Sequence, residues 1–321
     1  MTLPDKPLVS IITPSYQQVA FLEKTIKSVL TQDYPNLEYI VVDGASCDGS
    51  VEIIRKYEDR LAWWVSEKDH GQAEAINKGV AKAKGEIIAW VNSDDVYTSG
   101  AISEAVEALQ QNPQAGFVYG NVRVVDENER VLNELHYGDW GLHELMSFHI
   151  IGQPAVFMRR SAIPEDGFLD PTYHFLLDHQ LWLRIARNSP IKYVPRLWAE
   201  AHYHEGAKNK AEAGKFGNEA LRIAEWMRTS PGFEAEYQKH SNEIEAGAQR
   251  LDGFYLLDAE EYGPAFKAYM RAFFRSPKVV LPEWYRVAYC IAAPLGLKGF
   301  RQRRLAKRIK KYNPPPQGRI N

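Results

Sequence analysis

The sequence predicts an α/β fold with a mostly parallel central sheet, followed by a helical C-terminal extension. Over residues 8–125, apolar runs of strand length alternate with helical segments of about ten residues. Several of these runs stop at acidic or turn-forming residues, and helical spacing dominates from residue 211 onward. A chain of 321 residues is also long enough to bury a sizeable core and to form more than one compact unit.

The predicted elements follow one another in a regular order. β-branched residues mark a first strand at 8–13, which Pro14 ends, and the residues after it have helical spacing. The next elements are strand 39–42, helix 50–57, strand 62–66, helix 72–83, strand 86–91, helix 101–111 and strand 116–125. Strands that alternate with helices in this way indicate βαβ units and a parallel sheet.

The alternation ends near residue 125. The later elements are a hairpin at 122–132, a helix at 142–148, a strand at 153–158, a helix at 175–188 and an extended segment at 191–204. We therefore expect a domain at 1–210 with halves at 8–125 and 126–210. A helical region at 211–297 and a basic tail at 298–321 then complete the chain.

Composition excludes several classes of protein. A formal net charge of -2 and a pI of about 6.5 give no support for nucleic-acid binding. The two cysteines, Cys47 and Cys290, imply no disulfide framework and fit a reducing cytoplasm. The first residues lack the pattern of a signal peptide, and no apolar stretch reaches the roughly 18 residues of a membrane span. We expect a cytoplasmic protein that is soluble or peripheral to a membrane.

The C-terminal part has a composition of its own. Residues 298–311 contain eight Lys and Arg residues and no acidic residue, and residues 279–297 upstream are mostly apolar or aromatic. An apolar helix face followed by a basic cluster is typical of peripheral contact with anionic lipid. A core helix followed by a solvated basic tail is the alternative. Three prolines at 314–316 end any helix, and the last residues are expected to be disordered.

Two neighbouring carboxylates follow the strand predicted at 86–91. Asn92, Ser93, Asp94 and Asp95 come directly after it, which places them at the carboxyl edge of a sheet, where α/β folds bind ligands. Adjacent carboxylates repel each other unless a cation neutralises them, and Mg²⁺ or Mn²⁺ prefers such oxygen ligands. The alternative is an N-cap for the helix predicted from Ala101.

Asp43 ends the strand at 39–42 in the same way. Its carboxylate could accept a hydrogen bond from a nucleobase N–H or a ribose hydroxyl if the two strand ends share a crevice. The alternative is a turn over 43–49 that leads into a helix capped by Ser50. Both interpretations hold together if Asp48 serves the turn while Asp43 faces a ligand.

Four motifs stand in a recognisable order. They are VSIITPSY at 9–16, VDGASCDGS at 42–50, SEKDHGQAEAINKG at 66–79 and NSDD at 92–95. In this order the chain resembles the family 2 glycosyltransferases, and the resemblance continues at 152–160 and 177–184. It covers about residues 8–210 and does not extend to the last third of the chain.

The resemblance implies a GT-A fold and an inverting transfer from a nucleotide-diphosphate sugar, with a UDP-sugar favoured. The acceptor would be a hydroxyl of a saccharide or a lipid-linked saccharide in cell-surface polysaccharide assembly. Residues 8–125 would form the nucleotide-sugar-binding half and residues 126–210 the acceptor half.

The resemblance also assigns roles on the donor side. Pro14 and Tyr16 would lie against the nucleobase, with Asp43 hydrogen-bonded to it. Asp69 and Asn77 fall in the donor-side segment.

The acidic motif would hold the diphosphate and the metal. Asp94 would contact the ribose or diphosphate, and Asp95 would be the principal ligand of a divalent Mn²⁺ or Mg²⁺ ion. The motif is Ser-Asp-Asp rather than a strict Asp-x-Asp, so its first position has no carboxylate.

The transfer needs a base that takes the acceptor's proton. Asp178, at the start of an apolar-patterned helix, matches the acidic residue that serves as this base in the family, although Leu177 stands where many relatives have Glu. An N-cap of that helix is the alternative.

Two histidines extend the candidate site. His202 and His204 share a face of an extended segment, and His204 is predicted to approach the diphosphate or the metal, with Lys208 as a further phosphate contact. A structural or surface role for this pair is the alternative.

Competing functions fit the sequence less well. A sugar-phosphate nucleotidyltransferase or a dinucleotide-dependent oxidoreductase needs a glycine-rich loop after the first strand, and residues 13–18 contain no glycine. A non-catalytic nucleotide-sugar-binding or scaffold component of a polysaccharide assembly complex remains the alternative. The joint presence of Asp43, Asp95 and Asp178 argues against it.

Overall fold

The computed structural model of the chain describes residues 3–204, 212–297 and 299–313. Its β-strands are β1 (Val9–Ser15), β2 (Leu37–Asp43), β3 (Trp63–Ser66), β4 (Ile87–Trp90), β5 (Asp95–Tyr97), β6 (Phe117–Val125), β7 (Val131–Leu135), β8 (Val156–Arg159) and β9 (Ile191–His202). They form one sheet in the order β3-β2-β1-β4-β8-β6-β9-β5, and β7 pairs with β6.

The helices of the first half are α1 (Val19–Leu30), α2 (Ser50–Lys56), α3 (Gln72–Lys82), α4 (Ala101–Gln111), α5 (Leu142–Met146) and α6 (Leu177–Ala186). The later helices are α7 (Phe216–Thr229), α8 (Glu234–Asp258), α9 (Tyr262–Arg275), α10 (Pro277–Val280), α11 (Trp284–Ala292) and α12 (Gly299–Tyr312). None of the helices in the described ranges has the length and apolarity needed to cross a membrane.

The sheet has a parallel part and an antiparallel part. Strands β3, β2, β1 and β4 are parallel, as the βαβ pattern predicts. The pairs β4–β8, β6–β8 and β5–β9 are antiparallel. The expectation of a mostly parallel sheet therefore holds for the strands at residues 8–90, whereas β8, β6 and β5 each take part in an antiparallel pair.

Strand β1 extends past the predicted stop at Pro14. Pairing with β4 ends at Ile12, so Pro14, which has no N–H, lies beyond the last bond on that side. On the other side the pairing with β2 continues to Ser15 opposite Asp43. The proline therefore costs no ladder bond on the β4 side, and the strand continues to the edge of the sheet.

Apolar periodicity explains how the helices cover the sheet. Helix α1 buries Leu22, Ile26 and Val29, three positions on one face, against a core that contains Ile11 and Val41 of the strands. The same core takes up α4 and the fully buried Trp198. This packing fixes the carboxyl ends of β1, β2 and β4 relative to one another.

The chain divides into two compact units. The first comprises the described residues of 3–122, 135–145 and 150–201, and the second those of 123–134, 146–149 and 202–313. Helices α8 and α9 of the second unit lie in the predicted helical region and pack on each other, and a separate apolar cluster there includes Ala246, Tyr269 and Cys290. Residues 299–312, predicted as part of a basic tail, form helix α12. The predictions for Lys208 and for residues 314–321 lie outside the described residues.

Candidate functional site

The carboxyl edge of the parallel strands brings polar side chains into one row. Ser15, Asp43 and Ser66 are register partners at the ends of β1, β2 and β3. The backbone N–H of Gly44 donates to the carbonyl of Ser15 at 2.8 Å, so β1 and β2 remain joined to their last residues. This edge is where open α/β sheets bind their ligands.

Asp43 is fully buried and organises the loop after β2. Its carboxylate accepts bonds from the backbone N–H of Ser46 (2.8 Å), the Ser46 hydroxyl (2.6 Å) and the Ser66 hydroxyl (2.6 Å). A carboxylate offers about four acceptor positions, and three are occupied here, so contact of this buried group with a base N–H would require the loop to open. Asp43 thus serves the turn that the sequence left as an alternative.

Tyr16 and Asp69 both lie close to Gly44. A Cβ atom at Gly44 would be 2.9 Å from Asp69 Oδ2 and 3.2 Å from Tyr16 Cδ2. The Tyr16 side chain is 62% exposed, whereas Asp69 is half-buried and accepts a bond from the N–H of Gly71 at 2.9 Å. The exposed ring of Tyr16 and the carboxylate of Asp69 therefore lie close to the backbone of Gly44. Pro14, predicted beside them, is buried in β1.

The loops after β1 and β2 hold each other in place. Gln17, with a φ of 54°, donates its backbone N–H to the Ser46 hydroxyl at 2.8 Å. Asp48 accepts from the N–H of Val19, at the start of α1, and from the N–H of Ser50, at the start of α2. Ser50 itself is the first residue of α2 and not its N-cap, which is Gly49. One aspartate therefore positions two helices.

Hydrogen bonds lower the pKa of Asp48. Burial alone would raise the pKa of this carboxyl group, but the bonds from the Ser50 hydroxyl and from the backbone of Val19 and Ser50 outweigh it. The pKa of Asp48 is consequently held below its ordinary value.

The second acidic group lies beyond β4. Asp95 is 6% exposed and begins strand β5, opposite Ala201 of β9. The Asn92 amide donates to Asp95 Oδ2 at 3.3 Å, and Gln72 Nε2 donates to Asn92 Oδ1 at 2.7 Å. The N-cap alternative does not apply to Asp94 and Asp95, because α4 begins at Ala101 with Gly100 as its N-cap.

A side chain of α1 forms hydrogen bonds with the backbone around Asp95. The buried Thr25 hydroxyl lies 2.9 Å from the carbonyl oxygen of Ser93 and 2.7 Å from that of Asp95. The Asp95 N–H in turn donates to the Asn92 carbonyl at 3.0 Å. These bonds fix the turn that presents the carboxylates.

The residues of this turn fit a hard divalent cation. Two consecutive carboxylates and an amide oxygen are the donor set that Mg²⁺ and Mn²⁺ prefer, and one of the two carboxylates is buried. A buried carboxylate gains from a cation that replaces its lost hydration.

Asp178 lies in the first turn of α6 and is half-buried. It is the second residue of the helix and not its N-cap, which is Leu176, so the capping alternative fails. Its Oδ1 accepts the backbone N–H of His179 at 2.7 Å. The positive end of the helix dipole favours the charged form of a carboxylate at this position.

Aromatic packing ties Asp178's helix to the strand that leads into the acidic turn. Trp182, one turn after Asp178, stacks on Trp90 of β4 with ring centroids 5.3 Å apart. Trp90 is two residues before Asn92 and also contacts Phe168 edge-on at 5.6 Å. Trp182 and Trp198 are fully buried and belong to the core, so they offer no surface on which a sugar ring could stack.

A cluster of aromatic side chains lies near Asp178. Tyr119, Tyr137, Trp140 and Tyr193 have ring centroids between 5.5 and 6.4 Å apart. The Tyr137 hydroxyl accepts the N–H of Gly152 at 2.9 Å. Burial raises the pKa of Tyr137, and the negative charge of Asp178 raises it further. The two side chains therefore interact electrostatically.

Two predicted residues have other surroundings. The Asn77 amide exchanges two bonds with the backbone of Leu169, at 2.8 and 2.9 Å, which gives it a structural contact. His202 and His204 are both buried and belong to the second unit. The donor and metal roles of Asn77 and His204 stay predictions.

Three glutamine and asparagine residues belong to the site although no role was assigned to them from the sequence. Gln72 and Asn92 form the chain that ends at Asp95, and Gln153 donates to the carbonyl of Trp90 at 2.7 Å. Within the described residues, the buried Oε1 of Gln153 has no hydrogen-bond partner. All three lie inside the motifs that carry the family resemblance, which was the available signal.

A mixed sheet with acidic residues at its parallel carboxyl edge defines a GT-A glycosyltransferase fold, and similar solved structures agree. A Staphylococcus aureus TarS 1-349 structure in complex with UDP-GlcNAc is 16% identical, with a TM-score of 0.58, 92% of this chain covered and 92% of that chain. The mannosyltransferase PcManGT from Pyrobaculum calidifontis, in complex with GDP-Man and Mn²⁺, is 22% identical, with a TM-score of 0.60 and coverages of 92% and 89%.

The chain belongs to glycosyl transferase family 2. The sequence profile of that family matches residues 10–164. An uncharacterized glycosyltransferase of Mycobacterium tuberculosis is 36% identical over 185 residues, which are 56% of this chain and 69% of the relative. A putative teichuronic acid biosynthesis glycosyltransferase, TuaG of Bacillus subtilis, is 38% identical over 109 residues, 33% of this chain.

The chain matches only part of the length of several relatives. It spans 37% of the length of an uncharacterized Rickettsia conorii glycosyltransferase, which is 28% identical over 229 residues (65% of this chain). It spans 43% of the Bacillus subtilis relative.

Proposed function

We propose that the protein transfers a glycosyl group from a nucleotide-diphosphate sugar to a hydroxyl group of a saccharide acceptor. The observation that carries the proposal is the common position of two acidic groups along one sheet edge, after β2 and after β4. The helix of Asp178 packs on β4, which leads to the second group, through Trp182 and Trp90. Donor-binding chemistry and a base are thereby presented by one rigid unit.

The nucleoside of the donor fits the group around Gly44. Tyr16 offers an exposed ring on which a base can stack, and Asp43 would accept from a base N–H once its loop opens. Asp69 lies close enough to reach a ribose hydroxyl at the same point. We favour a UDP-sugar as donor, in line with the UDP-GlcNAc complex of TarS; GDP-Man in PcManGT marks the competing nucleotide.

The diphosphate and a divalent cation fit the turn at 92–95. Asp95 would be the principal ligand of Mn²⁺ or Mg²⁺, and Asp94 would face the diphosphate or ribose. The ion supplies charge neutralisation for the departing nucleotide diphosphate. Gln72, Asn92 and Thr25 hold the Asp95 backbone and carboxylate in position. On the sequence alone, His204 is proposed as a further metal ligand.

Asp178 acts as the base in this proposal. As the acceptor oxygen attacks the anomeric carbon, the bond from that carbon to the diphosphate oxygen breaks and the acceptor proton passes to the Asp178 carboxylate. Attack from the face opposite the leaving group inverts the anomeric configuration. Within the Leu177-Asp178 pair only Asp178 carries a carboxylate, so this base role falls on a single residue.

The acceptor is proposed to be a saccharide or lipid-linked saccharide of a cell-surface polysaccharide. The name of the Bacillus subtilis relative, a teichuronic acid biosynthesis glycosyltransferase, supports this class. The aromatic residues near Asp178 provide flat apolar surface of the kind that sugar rings contact. Such an acceptor places the protein on the cytoplasmic side, and the two free cysteines fit that compartment.

Titration of UDP, GDP and dTDP, each with and without Mn²⁺, tests the proposal. The wild type should bind one nucleotide in a metal-dependent manner, whereas Asp95→Ala should lose the dependence on metal. Asp59→Ala, which removes an exposed carboxylate elsewhere, is the matched control and should bind like the wild type. If the wild type binds none of the three nucleotides, the proposal fails, and a non-catalytic scaffold component of a polysaccharide assembly complex becomes the favoured function.

A further inference from the structure

Exposed apolar side chains are concentrated in one part of the chain. Among the described residues, seven of nine exposed large apolar side chains lie between residues 274 and 305. These seven are Phe274, Leu281, Trp284, Ile291, Leu295, Leu297 and Leu305. A concentration of this kind marks an interaction surface, whereas single exposed apolar residues do not.

Helix α11 has an apolar outer face as well as an apolar inner face. Tyr289 and Cys290 are buried in the cluster around Tyr269. The opposite face carries Trp284 (65% exposed) and Ile291 (56% exposed). A helix whose outer side faces only water normally carries polar residues there.

The charged residue of α11 is turned away from this outer face. Arg286 is half-buried, lies 3.2 Å from a Glu283 oxygen and covers the Phe254 ring at 4.3 Å. The outer face is therefore left without a charge, and it continues along the chain into the exposed Leu295 and Leu297.

Helix α12 follows directly and has two distinct sides. Ile309 and Tyr312 are half-buried, and Asn313 at the helix end exchanges two bonds with the backbone of Val131, at 3.2 and 2.8 Å. Arg303, Lys307 and Lys310 have the spacing of a single helix face and are exposed. The helix is thus held by one side and presents cations on the other.

The charge of this segment contrasts with the rest of the chain. Eight of the 39 Lys and Arg residues lie at 298–311, whereas all 41 Asp and Glu residues lie outside it. Outside this segment acidic residues exceed basic ones by ten. An anionic surface would attract the segment and repel the remainder, which fixes one orientation.

We propose that the outer face of α11, residues 295 and 297, and the basic face of α12 together form a docking surface for an anionic lipid bilayer. Trp284, Ile291, Leu295 and Leu297 enter the interface between headgroups and acyl chains, while Arg303, Lys307 and Lys310 bind lipid phosphates. This surface is independent of the transfer reaction, so its failure would leave the proposed function untouched.

Sedimentation of the full chain with vesicles tests the surface. We expect binding to phosphatidylcholine vesicles that contain about 30% phosphatidylglycerol, and at least tenfold weaker binding to phosphatidylcholine alone. Lys307→Glu/Lys310→Glu should weaken binding to the anionic vesicles by about tenfold or more. Trp284→Ser/Ile291→Ser should also weaken binding to the anionic vesicles by about tenfold or more. It should in addition remove the blue shift of tryptophan emission that we expect when the wild type binds these vesicles.

Lys56→Glu/Lys84→Glu is the matched control, because it changes the net charge equally at two exposed lysines of the first unit. This control should bind like the wild type, and circular dichroism should show all variants folded. Equal binding to both kinds of vesicle, or equal loss in the control, would overturn the proposal. Dimerisation of the wild type that Trp284→Ser/Ile291→Ser abolishes, without vesicle binding, would assign the surface to a second copy instead.

Discussion

Asp178 is the residue at which chemistry can be separated from donor binding, because the predicted donor contacts lie on other elements. We expect Asp178→Asn to slow the hydrolysis of a bound donor by about 10²–10⁴-fold. In this reaction water replaces the acceptor and the nucleotide diphosphate leaves. The nucleotide affinity of the variant should stay within about twofold of the wild type, since the amide keeps the shape of the carboxyl group. The measurement is a single-turnover assay beside a binding titration.

Glu165→Gln, an exposed carboxylate in the same unit, is the control for this experiment and should leave the rate unchanged. A parallel fall of affinity and rate in Asp178→Asn would instead indicate a role in holding the donor.

Gly44 gives a second test at the residue scale. A methyl group there would lie 2.9 Å from Asp69 Oδ2 and 3.2 Å from Tyr16 Cδ2, so one or both side chains must move. We expect Gly44→Ala to weaken nucleotide binding by about tenfold while lowering the free energy of unfolding by only about 1 kcal/mol. Calorimetric titration and urea unfolding measure the two effects. Unchanged affinity would place the nucleoside elsewhere.

At the scale of elements, Asp48 links the starts of α1 and α2. Asp48→Ala removes the acceptor for Val19 and Ser50 and should lower the free energy of unfolding at pH 7 by about 1 kcal/mol. Because the folded-state pKa of Asp48 lies below its ordinary value, this contribution is complete above about pH 4. It is lost as the pH falls through the lowered pKa of the folded state.

Urea unfolding at neutral and acidic pH measures this linkage. The difference between wild type and Asp48→Ala should shrink below about pH 4. Asp59→Ala should show no such difference at either pH. If the difference in free energy of unfolding between wild type and Asp48→Ala grew at acidic pH, the charged carboxylate would not be the form that accepts these hydrogen bonds.

Helix α8 depends on a glycine for its close approach to the segment at 146–149. A Cβ atom at Gly247 would overlap the backbone carbonyl of Ser147, which cannot yield as a flexible side chain would. We expect Gly247→Ala to lower the free energy of unfolding by about 2 kcal/mol. Gly263→Ala, in open space on α9, should raise it by about 0.5–1 kcal/mol because alanine favours the helix. Thermal unfolding of the pair checks both signs.

At the scale of the whole molecule, the sequence predicts local order better than long-range pairing. The acidic strand ends at Asp43 and Asp94 could be predicted because strand length and polarity are local properties. The position of Asp95 in a strand could not, since its partner Ala201 is 106 residues further along the chain. Insertion of β8 between β4 and β6 is equally non-local.

The long-range contacts of the supporting polar residues escaped prediction for a related reason. Asp48 and Gln153 act through backbone groups of segments that only the fold brings near, 29 and 63 residues away. Residue type alone does not reveal such contacts. By contrast, the basic and apolar composition of the C-terminal part was visible, but the anchoring of α12 by Asn313 to Val131 was not.

Ligand binding should act on the molecule through its first unit. The segments at 15–18, 43–48, 69–72 and 92–95 all belong to that unit and carry the predicted donor contacts. A nucleotide with Mn²⁺ at a hundredfold excess over its dissociation constant should stabilise the folded protein by about 2.7 kcal/mol. The melting temperature should therefore rise by several degrees, and Asp95→Asn should lose the metal-dependent part of the shift.

Hydrogen exchange locates this stabilisation along the chain. Protection should concentrate in those four segments, because their backbone N–H groups lie at or beside the proposed donor contacts. Helices α8 and α9 of the second unit should exchange as before. Metal-dependent protection at residues 202–204 that His204→Ala abolishes would favour the predicted imidazole ligand. If protection instead spread evenly over both units, the stabilisation would be global and would not locate the donor at this edge of the sheet.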